Sequence, residues 1–238
     1  MTDWTAVAAR LTSALHLDAP PIAITFSDAV PHDIRAFDEP FPDPTDDDRT
    51  GRVPAGCVFW MKSVDRTFTT VAEDHANCSV GSLTHGFIDL ATAATRGDVA
   101  ALVESGWVTP DIFPSIPSVA QRPGAIIYGP LANATCEPDV VLLRLNAAAL
   151  MTVSDAVPGL RIEGKPQCHI VAVAKEERQI VASVGCALSR ARTGMRATDM
   201  TCAIPGSQAE SLATTLDRTR AVDGAVATYA GVDARRFA

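Results

Sequence analysis

A chain of 238 residues that is 47% hydrophobic and 20% charged can bury a full core, which excludes a disordered protein and fits one large domain. Its formal net charge of -8 argues against non-specific nucleic-acid binding, because phosphate contacts need clustered Lys and Arg. No apolar run reaches the roughly 18–20 residues that span a bilayer, and the start Met-Thr-Asp-Trp lacks the basic residues of a signal peptide, so no membrane partner and a cytoplasmic location are expected.

In that reducing compartment the six cysteines are expected as free thiols, ligands or nucleophiles rather than a disulfide framework. Only 5% of residues are aromatic, which leaves few side chains to stack on bases or on large flat cofactors.

Residues 4–17 carry Val7, Ala8, Leu11 and Leu15 at helical spacing and predict an amphipathic helix that stops before Pro20. Residues 21–26 form a short apolar run opened by prolines, suited to a strand whose first residue needs no N–H donor. Residues 33–52, rich in Asp and Pro, predict a surface loop, and prolines at 40, 42 and 44 break the ligand pattern of a calcium loop.

The stretch from Cys57 to Gly86 concentrates two cysteines and two histidines in one segment. Cys57 leads into the apolar cluster Val58, Phe59, Trp60 and Met61. Residues 67–71 predict a β-branched strand and 79–95 a helix, which places Cys78 at a helix N-terminus, where free N–H groups favour a thiolate. In a continuous helix Cys78, Ser82 and His85 would share one face.

Another helix is expected over 97–106, and the four prolines between 110 and 123 predict an irregular stretch. Residues 124–130 and 139–145 are near-continuous apolar runs of the kind found in strands covered on both faces. Asn146 is placed to cap a helix over 147–156. The run 166–175 leans towards helix on account of its alanines. Residues 179–186 predict a strand ending at Cys186, 187–192 a helix, 198–204 a strand, and 207–220 a helix with Leu212 and Leu216 inside. The expected class is α/β, with α+β as the variant: a mixed sheet with helices packed on it. One domain over 1–238 is expected, or two sub-lobes divided near 107–123.

Cys186 repeats the setting of Cys78, a thiol at a strand-to-helix junction, and Arg190 would follow it by one turn, lowering its pKa or clamping an anionic group. Arg192 and Arg196 read as a solvated face. Cys57, Cys78, Cys168 and Cys186 each follow a glycine or polar turn residue rather than sitting inside an apolar pattern. Cys136 and Cys202 read as structural. His75, three residues before Cys78, could join the cysteines as a ligand; His16 and His32 read as surface residues. No C-x-x-C pair, phosphate-binding loop, dinucleotide fingerprint, H-E-x-x-H or G-x-S-x-G occurs.

Pro20-Pro-Ile-Ala, Cys57, Cys78-x-x-Gly81 followed by His85-Gly86, Tyr128-Gly-Pro-Leu131, Pro138-Asp-Val-Val141, Cys168, and Gly185-Cys186 followed by Arg190 resemble the domain of unknown function 169 family, from about Pro20 to the last helix. The resemblance implies that Cys57, Cys78, Cys168 and Cys186 occupy the family's recurring cysteine positions and share a metal or cluster site. The Asp-Pro stretch before Cys57 and His169 beside Cys168 depart from it.

The expectation is therefore a cytoplasmic enzyme whose four cysteines hold an iron-sulfur cluster, acting by Lewis-acid or redox chemistry on a small anionic substrate. Arg190 and His85 would orient that substrate, and His75 is the additional candidate ligand. Zinc held by the same thiols, or haem in an apolar pocket around Phe59, Trp60 and Met61, are alternative cofactors. A non-catalytic binding or accessory protein with structural cysteines is the alternative function. A homodimer is expected only as the commonest assembly.

Overall fold

The computed structural model describes residues 2–39 and 55–236. The surface loop expected over 33–52 falls mostly outside that set. Within the described part of it, Phe37 is 3% exposed and its N–H donates to Thr69 O, so the chain here enters the core.

The strands in chain order are β1 (Ile22–Ser27), β2 (Phe68–Thr70), β3 (Ala125–Pro130), β4 (Val140–Leu145), β5 (Arg161–Glu163), β6 (Val181–Ser183) and β7 (Met200–Pro205). They form one sheet in the order β2-β3-β1-β4-β7-β6-β5. Every neighbouring pair is antiparallel except β5 with β6. The mixed sheet with helices against it agrees with the expected α/β class. Strand β5 has no apolar pattern, only Arg161-Ile-Glu163, which is why the sequence does not announce it.

The α-helices are α1 (Trp4–Leu15), α2 (Val58–Lys62), α3 (Ser79–Thr84), α4 (Leu90–Ala94), α5 (Gly97–Glu104), α6 (Ala147–Ala156), α7 (His169–Ala172), α8 (Ala187–Thr193) and α9 (Ala209–Ala234). Local capping explains several starts. Asp3, Asp89 and Asn146 accept from the N–H groups of Ala6, Thr92 and Ala149, respectively, at 3.0, 2.7 and 2.9 Å.

The helix expected over 79–95 is interrupted. Gly86 takes φ +79°, and a Cβ there would lie 2.8 Å from Val119 O, so only glycine serves as the break between α3 and α4.

Alternation along the strands divides the core into two layers. Val141, Leu143, Cys202 and Ile204 face the layer built by α1, α6 and the first half of α9. Ile22, Ile24, Val140, Leu142, Val181 and Ala203 face the opposite layer, which holds Cys57, Cys78, Cys168, Phe59 and Trp60. The two-residue period thus sends Cys202 to the face away from the other buried thiols. The outer half of α9 carries Val222, Val226 and Tyr229 exposed. Among the described residues no helix is long and apolar enough to cross a membrane.

Candidate functional site

Four segments distant in sequence deliver Cys57, Cys78, Cys168 and Cys186 to the wall of one cavity of about 20 Å³, which Ala55, Trp107, Gln167 and Ser189 also line. All four cysteines are free thiols and 5–8% exposed. Each sits where a loop turns into a helix. Cys57 and Cys168 precede α2 and α7 with helical backbone, and Cys78 and Cys186 are the extended N-cap residues of α3 and α8. A residue at that position aims its side chain back over the open helix end, so four helix starts gathered at one edge of the layer gather four sulfurs.

Donors surround the sulfurs. The N–H of Ser189 reaches Cys186 Sγ at 3.3 Å. The backbone N–H groups of Gly81 and Gly56 reach Cys78, the Ser189 and Gln167 side chains bear on Cys57, and the Thr84 hydroxyl bears on Cys168. Behind Cys57, Gln167 Nε2 donates to Ser189 Oγ at 2.6 Å and the Ser189 hydroxyl donates to Met195 Sδ at 3.1 Å. The Tyr128 hydroxyl is fully buried without a hydrogen-bond partner among the described residues, close enough to Cys57 and Cys168 for those thiols to raise its pKa further after burial has done so.

As bare thiols Cys57, Cys78 and Cys168 are poor nucleophiles. Burial pushes Cys57 up to about 12 and Cys168 well above the ordinary thiol value, and the neighbouring sulfurs add to both. The expectation that Cys78 is an activated thiolate at a helix start is corrected. Burial raises its pKa, and the N–H groups of Gly81 and Gly56 together with the Arg192 guanidinium only partly oppose that. A cation among the sulfurs would reverse this balance, because metal coordination deprotonates a thiol outright.

The other residues singled out in the sequence lie elsewhere. Arg190 does not line the cavity. Its Nη2 donates to Val184 O at 2.9 Å and Asp199 O at 2.7 Å, and its fork packs so closely on Gly185 that a Cβ there would sit 2.7 Å from Nη1. Gly185 and Arg190 together therefore fix the backbone that presents Cys186, and Arg190 is a positioning residue rather than a clamp for substrate. The guanidinium that bears on a thiol is that of Arg192.

His75 and His85 also stand apart from the lining. His75 Nε2 is 3.0 Å from Thr70 Oγ1, and its ring is packed by Phe59 at 4.7 Å and Phe87 at 4.8 Å. His85 Nδ1 lies 2.9 Å from Gly81 O. Since a carbonyl only accepts, Nδ1 carries the proton and Nε2 is left as a bare, unpartnered acceptor. The shared face of Cys78, Ser82 and His85 does not form, because Ser82 Oγ turns to donate to His75 O. His169 is buried beside Glu163, with Nε2 at 3.4 Å.

The region around Phe59, Trp60 and Met61 is filled rather than hollow. Phe59 and Trp60 are fully buried, and the Phe59 ring meets Phe37, Phe68, His75 and Tyr128. It offers no slot for a haem.

Gln167, Ser189, Thr84, Trp107 and Asp98 were not marked by sequence reasoning. Ser189 was within reach of it, being three residues after an N-cap cysteine. Asp98 was not, because its role is long-range: its carboxylate, 9% exposed, accepts from Ser79 N at 2.9 Å and Ser79 Oγ at 2.6 Å, and so anchors the helix that carries Cys78. Replacing Asp98 by Ala strands a buried N–H and should cost about 2 kcal/mol, read as a lower urea midpoint with an unchanged slope.

His75 and His85, two of the buried histidines, make stability pH-dependent. Burial lowers His85 from 6.5 to about 4 and holds His75 well below 6.5. Between those values the unfolded chain binds protons that the folded chain refuses, so their contribution is complete above about 6.5 and is lost as pH falls towards 4. A drop of roughly 3 kcal/mol from His85 alone is expected over that window, and urea midpoints at stepped pH should show it. His85→Gln should flatten the slope.

Among the described residues no three His, Cys, Asp or Glu side chains are gathered as the shell of one metal ion. A tetrahedral ion with bonds of about 2.3 Å would require sulfurs about 4 Å apart. The family model of domain of unknown function 169, described as an uncharacterised ArCR, matches residues 10–215. No curated protein and no solved structure matches the chain.

Proposed function

The chain belongs to the domain of unknown function 169 family, and from that premise we propose that Cys57, Cys78, Cys168 and Cys186 hold an iron-sulfur cluster in an electron-transferring enzyme. The observation that carries the reading is the convergence of the four thiols on one cavity, with backbone N–H groups directed at the sulfurs of Cys78 and Cys186. Cysteines that merely pack do not need such donors. Around a cluster, hydrogen bonds to sulfur stabilise thiolates and tune the potential.

The donor set fits. Four soft sulfur ligands suit iron-sulfur clusters or zinc. The cavity of about 20 Å³ has room for one water-sized body, so holding a cluster requires the cysteine side chains to swing outward. A cluster held by four cysteines passes single electrons, whereas an open iron site would need one thiol to withdraw. The convergence of all four therefore favours redox over Lewis-acid chemistry.

The chain's own contribution is to bury the thiols, supply N–H groups to them, and close the outer side with Trp107. The Lys165 ammonium lies 4.8 Å from the centre of that ring and also donates to Trp107 O. The Tyr128 hydroxyl, unpartnered among the described residues, is the donor left for Cys57 or Cys168.

The test is the absorption spectrum of protein purified without oxygen. A broad band near about 400 nm that bleaches with dithionite is expected. Protein that is colourless and iron-free after anaerobic reconstitution would overturn the reading.

A further inference from the structure

We infer that the cleft on the far side of α3 from the cysteines binds a small organic carboxylate with an apolar body, its head held between Arg96 and Arg122. The cleft is about 210 Å³ and is lined by Arg96, Arg122, Glu73, Ser79, Ser82 and Phe87, among others. In an acidic protein most cations find a partner: Arg10 pairs with Asp217, Arg66 with Glu39, Lys175 with Asp139, and Arg196 with Asp18 and Asp199. The guanidiniums of Arg96 and Arg122 make no hydrogen bond, ion pair or ring contact with any described residue, and both face one cleft.

Guanidinium forks on the wall of one cleft offer paired N–H donors to a carboxylate. The serine hydroxyls cannot add to them, because Ser79 donates to Asp98 and Ser82 to His75 O. The head recognised is therefore anionic and small, held by guanidinium alone.

The body follows from what adjoins. Phe87, Ile88 and Arg122 also line a larger cavity of about 570 Å³, with Leu83, Phe113 and Val119 on its walls. That cavity shares Leu90, Phe113 and Pro114 with a further apolar one of about 620 Å³. A charged end that leads through a mixed cavity, with Asp89 and Thr92 also on its wall, to an apolar one suits a carboxylate on a hydrocarbon or aryl body and not a polyphosphate or sugar phosphate, which would want donors along its whole length.

The position relative to the thiols gives the cleft a role. Cys78 begins α3 on the cavity side, and Ser79 and Ser82 present the same helix to the cleft. The two sites are separated by about one helix width, ~10 Å. That the bound acid is a ligand of the same enzyme as the cysteine centre rests on the proposed function above; that it binds does not.

The probe is octanoate, titrated calorimetrically into the full-length protein, with iron measured on the same sample. Saturable binding is expected whatever the iron content, so its failure and the failure of the cluster reading are read separately. Octanamide, with a neutral head, and acetate, without a body, should each bind about tenfold more weakly or less. Arg96→Gln and Arg122→Gln should each weaken octanoate about tenfold. Glu73→Gln, which removes the opposing carboxylate, should strengthen it, and Arg218→Gln in α9 should leave it unchanged. Absence of saturable octanoate binding by the wild type, equal binding of octanamide, or retention of full affinity in both arginine variants would overturn the assignment.

Discussion

Replacing Cys186 by Ser is expected to abolish the visible absorption and the bound iron of protein purified without oxygen, while Cys136→Ser leaves both unchanged. The contrast follows from placement. Cys186 lines the shared cavity and takes an N–H from Ser189, whereas Cys136 is exposed on a loop. Serine keeps the shape of cysteine but offers a hard, rarely ionised oxygen in place of the thiolate that iron-sulfur clusters require. Cys202→Ser supplies the control for burial, because Cys202 is fully buried but in the layer on the other face of the sheet. It should lower stability, since its hydroxyl enters an apolar layer, and keep the colour. Loss of colour in all three variants would mean that the thiols report on folding and not on a common site.

Phe59→Ala should produce the largest loss of stability in the cysteine-bearing layer, about 3–5 kcal/mol. The ring is fully buried on the second residue of α2, two residues after Cys57, with centroid distances of 4.7 Å to His75, 5.0 Å to Phe37 and 5.6 Å to Tyr128. Its removal leaves a cavity among rigid rings that have little freedom to collapse. A loss of that size is a large part of a domain's stability, so the measurement is a urea titration alongside the wild type, with Phe59→Leu expected to recover more than half of the deficit. If Phe59→Ala proved nearly neutral, the ring cluster would not be the rigid floor on which Cys57 and Tyr128 are placed.

Where side-chain period and local chemistry determine structure, the sequence was readable. The strands β1, β3 and β4 are continuous apolar runs between turn residues. Helix α6 begins at the cap supplied by Asn146, and its bounds, Ala147–Ala156, are those its pattern indicates. The starts of α3 and α8 at Cys78 and Cys186 were legible for the same reason.

Long-range relations were less legible. Strand β5 is held only by pairing with β6 and shows no hydrophobic alternation. The break at Gly86 depends on Val119, which lies 33 positions away, although the glycine itself was a visible signal. Arg190 is the instructive case. Its spacing from Cys186 suggested a guanidinium beside a thiol, but Val184 O and Asp199 O take its Nη2 and Gly185 lets it pack against the backbone. One-turn spacing specifies a side and not a partner. Arg96 and Arg122, which carried no motif, share a cleft.

The most direct measurement is a crystal structure of the anaerobically purified chain with anomalous data collected above and below the iron absorption edge. Anomalous iron density for a cluster of irons, bounded by the sulfurs of Cys57, Cys78, Cys168 and Cys186, is predicted. Four ordered thiols packed against one another with no anomalous signal between them, in protein handled without oxygen and supplied with iron and sulfide, would contradict it.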